Sequence, residues 1–123
     1  MSVLVRANVR LLESPKVLEA HLFDLGLTIS APDDASLVSE IRAALIGHYI
    51  IANRESRVPF ADMVCSPGFA DEELYNRTHV LKGTNARRLD LPSDVREALS
   101  KALGLVNRNG THPADSVRLV VAA

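Results

Sequence analysis

Apolar positions along this chain recur with two periods, and each period predicts an element. From Val3 to Leu11 the odd-numbered residues Val3, Val5, Ala7, Val9 and Leu11 are apolar, while Arg6, Asn8 and Arg10 between them are polar. A two-residue period puts one set of side chains on each face of a strand, so residues 3–11 read as a half-buried strand. A helical stripe through Val5, Val9 and Leu12 competes with it, but it would carry Asn8 on the apolar side. At the far end, residues 116–122 contain a β-branched run and read as a second strand. Pairing the two would bring the ends of the sequence together.

Between them the period lengthens. Ser14-Pro15 suits a helix start, because a serine hydroxyl can cap an orphan amide and proline at the first helical position needs none. Val17, Leu18, His21, Leu22 and Leu25 then share a face, and Gly26 suits the left-handed residue after a helix. This predicts helix 15–25, with Leu27 to Ile29 as a brief strand. Asp33 or Asp34 caps a longer helix, 34–53, with Leu37, Ile41, Ala44, Leu45, His48, Ile51 and Ala52 at three- and four-residue steps. From Ile46 onward Tyr49 and Ile50 make the opposite face apolar too, so the end of this helix needs cover on all sides. Gly47 costs a helix interior about 1 kcal/mol relative to alanine. It would either admit another backbone closely or break the element.

The stretch from Pro59 to Gly68 is irregular but carries Phe60, Met63, Val64 and Cys65, apolar enough to lie against the core. Acidic Asp71, Glu72 and Glu73 open a helix over 72–82, and Gly83 stops it. Residues 84–92 read as an exposed connector. Ser93 caps helix 93–103, whose face is Val95, Leu99, Ala102 and Leu103. The expected architecture is α+β and helix-dominated, with four helices and a small two- or three-stranded sheet from the ends, in one domain over 1–123. An all-α fold is the alternative.

Composition narrows the function. The 123 residues are 47% hydrophobic and 24% charged with no tryptophan, the balance of a soluble globular domain whose core is leucine, valine, isoleucine and alanine. A formal net charge of −1 argues against generic binding to nucleic acid or a membrane surface. The single cysteine, Cys65, excludes an internal disulfide framework and fits a reducing compartment. No signal peptide is evident at the start, and the longest uncharged apolar run, Ala43 to Ala52, is short for a bilayer span. The expectation is a cytoplasmic protein with no membrane association.

Four constellations could carry chemistry. The segment from Asn76 to Arg88 holds Arg77, His79, Lys82, Arg87 and Arg88 with no acidic residue among them, and could bind phosphates of a nucleic acid or small molecule. The plainer reading is a solvated face that neutralises Glu72, Glu73 and Asp90. Cys65 lies shortly before a helix start, where a thiol pKa falls, and His79 could serve as its base. The plainer reading is a small buried residue. His21, His48, His79, His112 and Cys65 show no short metal-ligand spacing, so no metal is expected, and His21 and His48 fall on apolar faces. Asn-Arg recurs at 53–54, 76–77 and 107–108, an anion pocket only if Arg54, Arg77 and Arg108 converge. Phosphate-binding loops, dinucleotide fingerprints and nucleophile elbows are absent from the sequence, and no cofactor is expected.

Surplus apolar surface is the strongest remaining signal. It points to a non-enzymatic binding or regulatory module acting through protein contacts, with a second copy of the chain as a natural partner and Ile46, Tyr49, Ile50, Phe60 and Phe69 at the interface. The alternatives are a nucleic-acid- or phosphate-binding protein using residues 76–88 and a small cysteine-dependent enzyme built on Cys65 and His79.

Overall fold

The computed structural model describes residues 2–13, 16–64, 69–82, 84–107 and 116–122. In chain order these form β1 (Ser2–Glu13), β2 (Lys16–Leu22), β3 (Leu27–Ala31), α1 (Asp34–Arg54), α2 (Phe69–Lys82), β4 (Thr84–Leu89), α3 (Ser93–Asn107) and β5 (Ser116–Ala122). The class is α+β as expected, with three helices among the described residues rather than four. The strands make one mixed sheet in the order β3-β2-β1-β5-β4.

β1 is the middle strand, and its alternation sets up the two sides of the molecule. Val5 and Ala7 are fully buried and Val9 packs against the same cluster, which continues through Ala20 and Leu22 of β2 and Ala31 of β3. Leu37, Ile41 and Leu45 of α1 and Val95, Leu99 and Leu103 of α3 complete this core. Arg6, Asn8 and Arg10 project from the other face by the two-residue period. There α2 approaches, with the Asn8 side-chain amide donating to the Asp71 carbonyl at 3.0 Å. The terminal strands do pair: β1 and β5 run parallel, from Ser2↔Ser116 to Asn8↔Ala122.

Two sequence expectations are corrected. Residues 15–25 are not a helix: Lys16–Leu22 is β2, antiparallel to β1 from Asn8↔His21 to Glu13↔Lys16 and to β3 from Leu18↔Ala31 to Leu22↔Leu27. Leu18, Ala20 and Leu22 satisfy a strand period as well as Val17, Leu18, His21, Leu22 and Leu25 satisfy a helical one. Two flanking strands, which local sequence cannot register, decide the contest. Gly26 does take the left-handed φ of 60°, but in the turn between β2 and β3 rather than after a helix. Residues 84–92 are not all connector either. Thr84–Leu89 is edge strand β4, paired with β5 from Thr84↔Ala122 to Leu89↔Val117. Its arginines disguise it, since charge on an edge strand blocks pairing with a further chain.

α1 begins as predicted. The Asp33 carboxylate accepts from the Ser36 amide at 2.8 Å, and this bond holds the Asp33 pKa below its ordinary value. The helix then runs unbroken through Gly47 to Arg54, burying Leu37, Ile41, Leu45 and Ala52. By length and composition alone it would pass for a membrane-crossing helix. Its packing is that of a helix laid on a sheet, against β3, β2 and α3.

The loop after α1 closes over one side of its second half. Phe60 is completely buried, so it is a core residue and not the exposed interface residue expected from sequence. Its ring stacks on His48 with centroids 5.2 Å apart, and its amide donates to His48 Nε2 at 3.2 Å. An Nε2 that accepts this bond carries no proton, so its 3.5 Å approach to Asp62 is no ion pair in that state. Phe60 sits at φ 67°, a conformation costly for a bulky side chain, and the buried ring holds it there.

A Cβ built at Gly47 would meet nothing within 4 Å, so the glycine neither admits a close backbone nor breaks the helix. Gly47→Ala is therefore expected to stabilise the protein by about 0.5–1 kcal/mol. Thermal or urea unfolding checks this, and a lowered midpoint would mean that something packs there.

Candidate functional site

An apolar groove of about 620 Å³ lies between the second half of α1, the loop after it and α3. Tyr49 and Asn53 form the α1 wall. Val58, Pro59, Ala61 and Val64 form one end, and Ala98 and Ala102 form the α3 wall. Helical spacing puts Ile46, Tyr49, Ile50 and Asn53 on one stripe of α1. Ile46 and Tyr49 are partly buried and packed against the core, whereas Ile50 is 50% exposed and Val58 73% exposed. The α3 rim carries Asp94, Glu97 and Lys101, with Lys101 Nζ 3.5 Å from Glu97. Of the expected interface residues, Tyr49 lines the groove, Ile46 and Ile50 share its helical stripe without lining the groove, and Phe60 is buried. Phe69 opens α2, and the surroundings of its side chain are outside the described part. Val58, Ala98 and Ala102 were not among the expected interface residues, because their meeting with Tyr49 depends on how the loop and α3 pack on α1.

The basic segment 76–88 is divided between α2 and β4. Arg77 is exposed on α2, where Lys82 and His79 also lie, with the side chains of those two outside the described part. Arg87 is drawn to α1, with Nε 2.8 Å from Asp34 Oδ2 but not aligned for a hydrogen bond. Arg88 approaches Asp90 at 3.5 Å with both side chains largely exposed, a weak pair in water. At the end of β4 a separate cleft of about 430 Å³ brings Arg88 together with Arg42 of α1 and Arg96 of α3, over Leu89, Asp90, Leu91 and Pro92. Arg42 and Arg96 were missed, since nothing local to residues 42, 88 and 96 signals their meeting.

Beneath α2 lies a charged cluster. Arg6 grips Asp24 with two bonds, Nε to Oδ2 at 2.9 Å and Nη2 to Oδ1 at 2.7 Å, and Nη1 reaches Glu72 at 3.4 Å. Asp24 is 2% exposed. The guanidinium stands 4.9 Å from the Phe23 ring centre and 5.7 Å from that of Tyr75, and these rings meet edge-on at 5.6 Å. The hydrogen bond that Arg6 donates to Asp24 raises the Arg6 pKa above its ordinary value against the opposing effect of burial. Burial likewise raises the Tyr75 pKa, with Arg6 opposing and Asp24 adding to the rise. His21 belongs to this polar face rather than an apolar one, with Nδ1 3.1 Å from Thr28 Oγ1 and Nε2 3.5 Å from Asp71. Asn8 Oδ1 is buried here without a hydrogen-bond partner.

Cys65 and His112 lie outside the described residues, so the structure does not bear on the pairing of Cys65 with His79. Arg108 lies outside them as well. Among the described residues no cluster of three His, Cys, Asp or Glu side chains could hold a metal.

Comparison with known proteins adds no relative: no family model, no curated protein and no solved structure matches this chain. Functional inference therefore rests on geometry.

Removing Arg6 would take the two-pronged guanidinium partner from the buried Asp24 carboxylate. Arg6→Met is expected to cost about 3–5 kcal/mol in chemical denaturation, with Arg6→Met/Asp24→Leu recovering much of the loss. A single variant within about 1 kcal/mol of the parent would contradict a buried pair. Tyr75 supplies a pH signature. Its folded pKa is raised, so its contribution is fully present below the unfolded tyrosine value of about 10 and is lost as pH rises through the folded one. Melting temperatures should therefore fall more steeply above about pH 10 in the parent than in Tyr75→Phe.

Proposed function

We propose that this chain is a non-enzymatic binding module that pairs with a second copy of itself through the groove between α1 and α3. The observation that carries the reading is the half-exposed Ile50 and the more exposed Val58 beside a groove lined by Tyr49, Pro59, Val64, Ala98 and Ala102. Apolar surface gathered around a concavity is what protein interfaces bury.

The rim favours a self-partner. A two-fold interface applies the same patch to itself, so its charges must be self-complementary. Asp94 and Glu97 lie along the same α3 edge as Lys101, and a two-fold axis across α3 would set the lysine of one protomer against the acids of the other. Within one chain the Glu97–Lys101 pair is exposed and weak, so both groups are free to exchange partners. The second half of α1, only partly covered by the Phe60 loop, would gain its remaining cover from the second copy. Regulation would then act through whatever favours or opposes pairing.

Light scattering after size exclusion tests this. The parent is expected to elute with a dimer's mass at micromolar concentration, and Ile50→Glu and Val58→Glu with a monomer's mass and an unchanged far-ultraviolet dichroism spectrum. A parent that stays monomeric at every concentration removes the reading.

A further inference from the structure

We infer that the arginine cleft at the end of β4 binds the phosphoryl group of a small phosphomonoester. The cleft does not involve the groove, and the inference does not depend on self-association.

Two helices and a strand meet there to place three guanidiniums around one space: Arg42 from α1, Arg88 from β4 and Arg96 from α3. They face one carboxylate, Asp90, which leaves a surplus of two positive charges. That carboxylate is a poor internal partner. It is 84% exposed and 3.5 Å from Arg88. Arg42 is fixed differently, since its Nε donates to the Asp90 backbone carbonyl. This bond orients the guanidinium and leaves its two Nη groups to a ligand. Arg96 is partly buried and has no side-chain partner among the described residues. Asp94 accepts from the Ser93 hydroxyl at 3.4 Å, and it and Glu97 line the α1–α3 groove rather than this cleft.

Guanidinium forks match phosphoryl oxygens two at a time, so three of them suit a dianion better than a single carboxylate. The volume of about 430 Å³ exceeds what a bare phosphate needs and lies in the range of small-molecule sites. Leu89, Leu91 and Pro92 line the rest, which gives the organic part of the ligand an apolar wall.

Calorimetric titration of the full chain with adenosine monophosphate, inorganic phosphate, adenosine and a short single-stranded oligonucleotide tests the assignment. Saturable one-site binding of the monophosphate and of phosphate is expected, with none of adenosine. Tighter binding of the monophosphate assigns a role to the apolar wall, and equal binding assigns the affinity to the phosphoryl group alone; either supports the site. Arg88→Gln and Arg96→Gln should each weaken binding about tenfold or more. Arg96→Gln should leave the melting temperature unchanged, since that side chain holds no described contact. No saturable heat with either phosphate at millimolar concentration overturns the proposal. So does an Arg96→Gln variant that binds as well as the parent, or binding confined to the oligonucleotide.

Discussion

Asp24 is a carboxylate taken almost wholly out of water, and the Arg6 guanidinium is what makes that position tenable. Arg6 stands on the central strand, Asp24 in the turn after β2, and Glu72 on α2, so one side chain ties three elements together. Phe23 and Tyr75 wall the pair off from solvent and bring it to the ring faces, where a cation is attracted. Had the second face of the sheet been apolar, α2 could have slid on it. A bidentate pair with a fixed fork geometry gives that helix one seat. The arrangement also explains a polar residue pattern in the middle strand of a sheet covered on both sides.

The opposite face is built on shape instead of charge. Small residues, Ala7, Ala20 and Ala31, line the sheet where α1 and α3 press close with leucines and an isoleucine. Both helices are fully engaged only along their inner stripes. The loop after α1 buries Phe60 in the core, and its residues Val58, Pro59, Ala61 and Val64 line the space between the two helices. What is left open is the groove along α3 from Asp94 to Ala102, and beside its first turn, next to the end of β4, the arginine cleft. Both candidate sites are thus consequences of how α3 is held between α1 and the sheet edge.

Much of this was legible in the residues. The alternation over 3–11 and the β-branched run over 116–122 gave strands, and their pairing gave a reason for both ends to be strand-like. The caps and stripes of 34–53 and 93–103 gave helices whose inner faces carry Leu37, Ile41, Leu45, Val95, Leu99 and Leu103 as expected, while Ile51, expected on the α1 stripe, is 48% exposed. The stripe through Ile46, Tyr49 and Ile50 was visible as surplus apolar surface. Residues 16–22 were not legible as a strand, because seven residues satisfied both periods. Residues 84–89 looked like connector because an edge strand tolerates arginines. The gathering of Arg42, Arg88 and Arg96 left no trace, since it depends on three elements far apart in sequence.

The sequence alone determined which residues avoid water, where the long helices start, and that the class is α+β. Those properties are local: a capping carboxylate, a period, a run of branched side chains act over a few residues. Tertiary structure decided whether an ambiguous segment became strand or helix, which arginine found Asp24, and which apolar residues stayed uncovered. These depend on strand partners and helix seats supplied from dozens of residues away, and a competition settled by distant contacts is not written in any one stretch of the chain.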